Sequence, residues 1–137
     1  MAGIIVQCPA TAKGVGPSAS GSDWIGGGVF AGRETTISDC WVFDNVADSG
    51  GGLWGGDVVK GNRIFSNTAR ASGGGLFQDL WGVTLSENTF MSNTAGDSGG
   101  GLYLMGGAST LINNVFADNH ANGTGSGLAM SEERPDP

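Results

Sequence analysis

Apolar residues recur along this chain in short alternating runs that break at asparagine or glycine. In the segment Val83–Leu85, for example, two apolar residues flank a threonine, which is the two-residue period of a β-strand. Turn-forming residues follow each run within a few positions, as they do at strand ends. No stretch of about ten residues has the period of a helix. The pattern therefore predicts an all-β protein made of many short strands.

One phrase of the sequence returns at a nearly constant distance. It reads SGGGLW from Ser49, SGGGLF from Ser72 and SGGGLY from Ser98, with weaker copies IGGGVF from Ile25 and GSGLAM from Gly125. The glycines that open these phrases are Gly26, Gly50, Gly73, Gly99 and Gly125, so the steps are 24, 23, 26 and 26 residues. A period in this range is typical of solenoids, in which each repeat stacks on the next.

A second repeated segment lies between the glycine phrases and aligns without gaps over residues 36–47, 58–69, 84–95 and 110–121. The alignment places like residues in columns. The columns are Ile37, Val59, Leu85 and Leu111; Val42, Ile64, Phe90 and Phe116; Asn45, Asn67, Asn93 and Asn119; Ala47, Ala69, Ala95 and Ala121; and Cys40, Asn62, Asn88 and Asn114. Leucine-rich solenoids need more leucines than this chain has, which favours stacked β-coils.

The glycine phrases, together with FMSN (Phe90–Asn93) and FADN (Phe116–Asn119), resemble the GGA-I and F-x-x-N repeats of polymorphic outer membrane proteins. More broadly they resemble the right-handed parallel β-helix (pectate-lyase-like) superfamily. The resemblance covers roughly residues 26–130, and this chain has a third glycine where that family has alanine. It implies a right-handed parallel β-helix solenoid of about five coils. Residues 1–25 would form a degenerate first coil or N-terminal cap, residues 26–130 the coils, and residues 131–137 a polar C-terminal tail.

Stacked coils place each residue about 4.8 Å from its counterpart in the next coil. A buried amide is costly alone, but stacked amides donate to and accept from their neighbours. We therefore predict a structural ladder of Asn45, Asn67, Asn93 and Asn119. The glycine triplets are expected at a corner, where positive φ and close backbone approach favour glycine.

The two residues after the glycines differ in character. The first forms an aliphatic column of Val29, Leu53, Leu76, Leu102 and Leu128, and the second forms an aromatic column of Phe30, Trp54, Phe77 and Tyr103. If the aliphatic column faces inward, the aromatic column faces outward and forms a stripe that could bind a polysaccharide or a protein surface. The alternatives are rings in the core, or a stripe covered by a loop or a neighbouring subunit. Trp41 is a second outward candidate.

Two cysteines are present, Cys8 and Cys40. If Ile5 joins the column of Ile37, Cys8 lies beside Cys40 in the adjacent coil, at a distance that a disulfide accepts. Such a bond would attach the first coil to the solenoid and would fit an extracellular location. A stacked pair of buried thiols is the alternative.

The charge balance narrows the range of partners. The formal net charge is −7 with six Lys and Arg residues, which argues against nucleic acid. The apolar runs are too short to span a bilayer. The open edges of a β-helix invite pairing. Three explanations compete: the prolines and charges of residues 131–137 cap an edge, the chain is a fragment of a longer solenoid, or the ends meet in a homo-oligomer or an end-to-end filament.

Catalysis is the alternative function, because the resemblance also covers polysaccharide lyases and epimerases. The lyases use a calcium-binding acidic cluster and a Lys or Arg base. Asp39 and Glu87 share a column here, but Gly61 lies between them where a third carboxylate is wanted, and Lys60 and Arg63 are interpreted as surface ion pairs. We predict no catalytic residue, metal or cofactor, with calcium near Asp48 and Asp97 as the weaker alternative. The lone histidine, His120, is expected at a solvated position. The predicted function is a non-catalytic structural or adhesive module, secreted or at a cell surface.

Overall fold

The structure, a computed structural model, describes residues 4–7, 11–12, 26–79 and 81–131. These residues form 19 β-strands, arranged in four parallel sheets that we number I to IV. No helix among them has the length and apolar character needed to cross a membrane. The predicted all-β solenoid with parallel pairing between coils is confirmed.

Sheets I and II contain five strands each. Sheet I consists of β1 (Ile4–Gln7), β4 (Thr35–Ser38), β8 (Val58–Lys60), β12 (Thr84–Ser86) and β16 (Thr110–Ile112). Sheet II consists of β2 (Thr11–Ala12), β5 (Trp41–Phe43), β9 (Arg63–Phe65), β13 (Thr89–Met91) and β17 (Val115–Ala117).

Sheets III and IV complete each coil. Sheet III consists of β6 (Val46–Ala47), β10 (Thr68–Ala69), β14 (Thr94–Ala95) and β18 (His120–Ala121). Sheet IV consists of β3 (Val29–Ala31), β7 (Leu53–Gly55), β11 (Leu76–Gln78), β15 (Leu102–Met105) and β19 (Leu128–Ser131). The chain passes through the sheets in the order I to IV, and four coils are complete within the described ranges, beginning at β4, β8, β12 and β16.

The core is a set of apolar columns, one from each of three sheets. Sheets I, II and IV contribute columns of fully buried side chains: Ile37, Val59 and Leu85; Val42, Ile64 and Phe90; and Leu53, Leu76 and Leu102. The two-residue strands of sheet III add a column of buried alanines: Ala47, Ala69, Ala95 and Ala121. Phe90 stacks on Phe116 of the next coil with ring centroids 4.9 Å apart, so like packs on like inside the solenoid.

The pairing register matches the sequence columns from β4 onward, but it differs in the first coil. We expected Ile5 to pair with Ile37, whereas β1 pairs Ile5 with Thr36 and Val6 with Ile37. That expectation was wrong by one residue. Gln7 pairs with Ser38 and Thr11 with Trp41, so the corner after β1 is one residue longer than the corner after β4. An alignment without gaps shifts β1 and β2 by the same number of residues relative to β4 and β5. It therefore cannot represent a corner of different length.

Cys40 lies at the corner between sheets I and II. Its side chain is fully buried and takes part in a disulfide. The other cysteine of the chain, Cys8, lies outside the described residues, so the geometry of the predicted Cys8–Cys40 bond stays a prediction.

Asparagine ladders occupy two corners of the coils, except that Cys40 takes the place of asparagine between sheets I and II in the first complete coil. At the corner between sheets II and III, Asn67 accepts at Oδ1 from the backbone N–H and the Nδ2 of Asn45, at 3.2 and 3.0 Å. Its own Nδ2 donates to the Asn93 Oδ1 at 3.0 Å and to the Val42 carbonyl at 2.9 Å. The pattern continues from Asn93 to Asn119. Each internal amide is therefore buried with all of its hydrogen-bonding groups paired, which removes the cost of burial.

The second ladder lies between sheets I and II. The Asn62 Oδ1 accepts from the Cys40 backbone N–H at 2.8 Å, and Nδ2 groups donate from Asn62 to Asn88 and from Asn88 to Asn114 at 3.0 Å. The residue just before each ladder position has a positive φ. A single left-handed residue turns the strand sharply, and the following amide ties the turn to the next coil.

Replacing Asn93 by Ala should lower the free energy of unfolding by about 3 kcal/mol or more, because it leaves the Asn67 N–H and amide buried without an acceptor. Urea denaturation measures this loss. Asn122→Ala is the matched control, since Asn122 is exposed and outside both ladders; it should change stability by less than about 0.5 kcal/mol. Equal effects of the two substitutions would contradict the ladder as a major source of stability.

The glycine triplets form the corner between sheets III and IV, and each glycine of a triplet is required for a different reason. In the triplet Gly73–Gly75, the first has φ +71°. A Cβ on Gly74 would overlap the carbonyl oxygens of Gly100 and Thr94, and one on Gly75 would lie 2.5 Å from the Gly101 oxygen. Neighbouring coils therefore approach too closely here for any side chain.

Gly74→Ala should prevent folding or lower the melting temperature by more than about 10 °C, because backbone atoms of two neighbouring segments would have to move. Gly32→Ala is the control, since a Cβ there meets nothing within 4 Å. The control should leave stability unchanged or raise it by up to about 1 kcal/mol. A Gly74→Ala protein as stable as the control would show that the coils do not approach this closely.

Candidate functional site

The aromatic column lies on the outer face of sheet IV. Its aliphatic neighbours Leu53, Leu76 and Leu102 are fully buried, and strand alternation directs the rings away from them. The four rings form one continuous stack, which we call the aromatic stripe: Phe30, Trp54, Phe77 and Tyr103. Successive ring centroids are 4.9, 6.2 and 5.1 Å apart, and the ring planes deviate from parallel by 10°, 6° and 16°.

Exposure along the aromatic stripe is uneven. Phe30 is 58% exposed, Trp54 and Tyr103 are half-buried, and Phe77 is only 8% exposed. Phe77 lies between two other rings, whereas Phe30 is on β3, the last described strand at one edge of sheet IV. The stripe is therefore most accessible at the Phe30 end.

The stacking also limits what the aromatic stripe can bind. Each internal ring turns both faces toward the neighbouring rings and only its edge toward solvent. Sugar rings stack on aromatic faces, and such a face is open only at an end of the column. The internal rings thus offer an apolar edge, which suits side chains of a protein better than the face of a sugar.

A second outward aromatic cluster lies on sheet II. The Phe43 and Phe65 rings stack at 4.9 Å, and Trp41 meets Phe65 edge-on at 6.4 Å. The Arg63 guanidinium lies 5.2 Å from the centre of the Trp41 ring, a cation–π contact. Trp41 is 45% exposed, so it lies on the outer surface, as expected.

A third outward aromatic site contains Trp81, which was not recognised from the sequence as a site residue. It lies at the corner between sheets IV and I and is 44% exposed. Together with Arg33, Asp57 and Thr84 it lines a cleft of about 190 Å³, which we call the corner cleft. The Arg33 guanidinium is 5.4 Å from the centre of the Trp81 ring.

One feature of the sequence indicated the corner cleft, namely the length of the corner in which Trp81 lies. Between β7 and β8 the corner has two residues, Gly56 and Asp57, whereas residues 79–83 separate β11 from β12. The corner of the next coil has the same length, since Leu76 pairs with Leu102 and Thr84 with Thr110, so the longer corners account for both steps of 26 residues. In solenoids, longer corners form loops on one face, and this face is often the binding face.

Buried and backbone contacts hold the corner that bears Trp81. Gln78 is fully buried, and its Nε2 donates to the Gly82 carbonyl at 3.0 Å. The Val83 N–H donates to the Ser109 Oγ at 3.2 Å, and the Thr84 N–H donates to the Asp57 carbonyl at 2.9 Å. The residues flanking Trp81 on its C-terminal side are therefore tied to the coils above and below.

The acidic residues considered for catalysis share a backbone conformation. Asp39, Gly61 and Glu87 have φ values of 57°, 67° and 57°. A glycine replaces a carboxylate in this column because every member must adopt the left-handed conformation. Lys60 is exposed, and Arg63 lies over Trp41 instead of beside these acids.

Other polar positions considered from the sequence make local contacts. Asp48 forms an ion pair with Arg70 at 2.8 Å, and the Ser98 Oγ donates to the Asp97 Oδ1 at 3.4 Å. His120 is exposed, with its Nε2 3.1 Å from the Asn122 Oδ1. Over the described ranges, no group of three or more His, Cys, Asp or Glu side chains is arranged to hold a metal ion.

Comparisons with protein-family models, with curated proteins and with solved structures found no significant match to this chain.

Phe77→Ala should lower the free energy of unfolding by about 3 kcal/mol, because it removes a buried ring from the middle of the stack. Phe30→Ala should cost about 1 kcal/mol or less, since it removes one ring contact at an exposed end. Thermal or urea unfolding of the two variants tests this difference. Equal losses would mean that the aromatic stripe is uniformly structural and has no accessible end.

Proposed function

We propose that this chain is a non-catalytic structural or adhesive module that acts outside the cell, secreted or at a cell surface. The resemblance of its repeats to polymorphic outer membrane proteins and to the pectate-lyase-like β-helix superfamily supports this assignment. The structural roles of the repeated polar columns also support this assignment. The asparagine side chains of the ladders hydrogen-bond to one another, and the acidic column at the corner between sheets I and II forms a backbone turn. These columns therefore build the solenoid.

The observation that carries the adhesive role is the accessible end of the aromatic stripe. Phe30 is 58% exposed beside a half-buried Trp54, and their rings are already stacked at 4.9 Å. Rings that are held before binding lose little conformational entropy when a partner packs against them. Beyond the end ring the stripe presents ring edges and not faces, which favours a protein surface as the partner over a polysaccharide. The net charge of −7 favours a partner with basic residues around its contact patch.

Retention of the full chain on immobilised proteins tests the role. The probes are fibronectin, laminin and collagen, with cellulose and polygalacturonate as polysaccharide surfaces. We expect retention on a protein surface and at least a tenfold weaker affinity for Phe30→Ser, which corresponds to about 1.4 kcal/mol. Ile112→Ser is the matched control, because Ile112 is an exposed apolar residue (50%) on sheet I, away from the stripe.

Two results would count against this proposal. One is an unchanged affinity of Phe30→Ser, which would exclude the aromatic stripe as the contact. The other is cleavage of polygalacturonate by the purified chain, followed through the ultraviolet absorbance of the unsaturated product and abolished by Lys60→Ala or Arg63→Ala. That result would favour the enzymatic alternative.

A further inference from the structure

We infer that the corner cleft binds one residue of a neutral polysaccharide. The site is separate from the aromatic stripe and does not depend on adhesion by the stripe. Its lining comes from corner residues of successive coils, among them Arg33, Asp57, Trp81 and Ala108.

Trp81 differs from the other described aromatic residues. Within residues 26–79 and 81–131 it is the one aromatic side chain whose ring contacts no other aromatic ring. It is also 44% exposed at the mouth of a polar cleft. The Arg33 guanidinium lies over one face of the indole, and the opposite face meets no other aromatic ring among the described residues, so a ligand would stack there. The internal rings of the stripe, by contrast, have both faces against neighbouring rings. A pyranose ring has an apolar C–H face of matching size, which packs on the electron-rich face of an indole.

Polar groups beside Trp81 match the hydroxyl groups of a sugar. The Asp57 Oδ2 accepts from the Glu34 N–H at 2.8 Å, which fixes the carboxylate, and no described residue donates to its Oδ1. The Arg33 guanidinium supplies donors, and the exposed Thr84 hydroxyl can both donate and accept. Because each sugar hydroxyl also donates and accepts, one sugar residue can use all three side chains at once.

Charge selects a neutral sugar over a charged one. Arg33 and Asp57 carry opposite charges at the same cleft, so their fields largely cancel for a bound ligand. A uronate polymer would be repelled by the net charge of −7, and a cationic side chain would compete with Arg33 for the Trp81 ring. A neutral hexose meets neither penalty.

The size of the cleft limits the ligand to one residue of a polymer. Its volume of about 190 Å³ is below the roughly 300 Å³ at which pockets for drug-sized ligands begin. One sugar residue with three polar contacts and one stacking contact is expected to bind with a Kd of about 1 mM. At this affinity the cleft is half occupied when the sugar residues of the polymer are present at about 1 mM.

The chain provides a closely matched control for Trp81. Trp41 is exposed to the same extent and also lies under an arginine, with 5.2 Å from Arg63 against 5.4 Å from Arg33 to Trp81. Trp41 lies on a strand face against Phe65, outside the cleft and without Asp57 beside it. If an exposed tryptophan under an arginine were sufficient for binding, both residues would bind sugar.

Affinity electrophoresis of the full chain tests the proposal. The acidic protein migrates through native gels that contain galactomannan, xyloglucan or mixed-linkage β-glucan, and through gels with polygalacturonate. We expect retardation by at least one of the neutral polymers, its loss in Trp81→Ala, at least a tenfold weaker affinity in Asp57→Asn, and no change in Trp41→Ala or Phe30→Ser. Each variant is compared with its own mobility in a gel without polysaccharide, which corrects for the altered charge of Asp57→Asn.

Three outcomes would overturn the inference: no retardation by any neutral polymer, retardation by polygalacturonate alone, or equal loss in Trp41→Ala and Trp81→Ala. If Trp81→Ala does not fold, the wild-type chain decides the question by NMR. The indole Nε1–H signal of Trp81 must then shift on titration with the matching neutral oligosaccharide, and the signal of Trp41 must stay in place. Failure of the aromatic stripe to bind a protein would leave these results unaffected, because Phe30 is not part of the cleft.

Discussion

Register between neighbouring coils is the constraint on which the rest of the structure depends. A buried asparagine is tolerated because the same residue lies one coil away and bonds with it, as Asn67 does with Asn93 at 3.0 Å. A shift of one residue in one strand would break several such bonds together. The end of the column shows the cost of a missing neighbour, since the buried Asn45 Oδ1 has no donor among the described residues.

The same repetition shapes the outer surface. Side chains that recur in every coil stack on their own copies, and the aromatic stripe consequently uses its ring faces internally. A column that repeats regularly therefore contributes mainly to the solenoid. A side chain that interrupts the repeat has no identical residue in the next coil to stack on. Its surface can therefore contact other molecules. Trp81 is such a residue, because the equally long corner of the next coil has Gly107 at the corresponding position.

Backbone conformation explains the residue types at positions that would otherwise suggest a catalytic or metal-binding site. The column of Asp39 and Glu87 has the appearance of an incomplete acidic cluster when only residue types are considered. All its members, including Gly61, adopt the left-handed conformation at a corner, and the requirement is met by glycine as well as by an acid. Arg63 lies over Trp41, which belongs to sheet II as Arg63 does, and it does not complete this cluster. Residue type alone is thus weak evidence for a site in a solenoid.

The sequence by itself determined the solenoid and the columns of asparagine, because stacking requires like residues at a fixed spacing and spacing is visible in one dimension. It left open whether the leucine column or the aromatic column faces inward, since strand alternation fixes only that the two face opposite ways. It did not determine the register of Ile5, since the length of a corner can change without altering the strands that it joins. Nor did it bring Arg33 to Trp81. That contact joins different coils, and only the tertiary structure, in which corners lie one above another, decides which of their side chains meet.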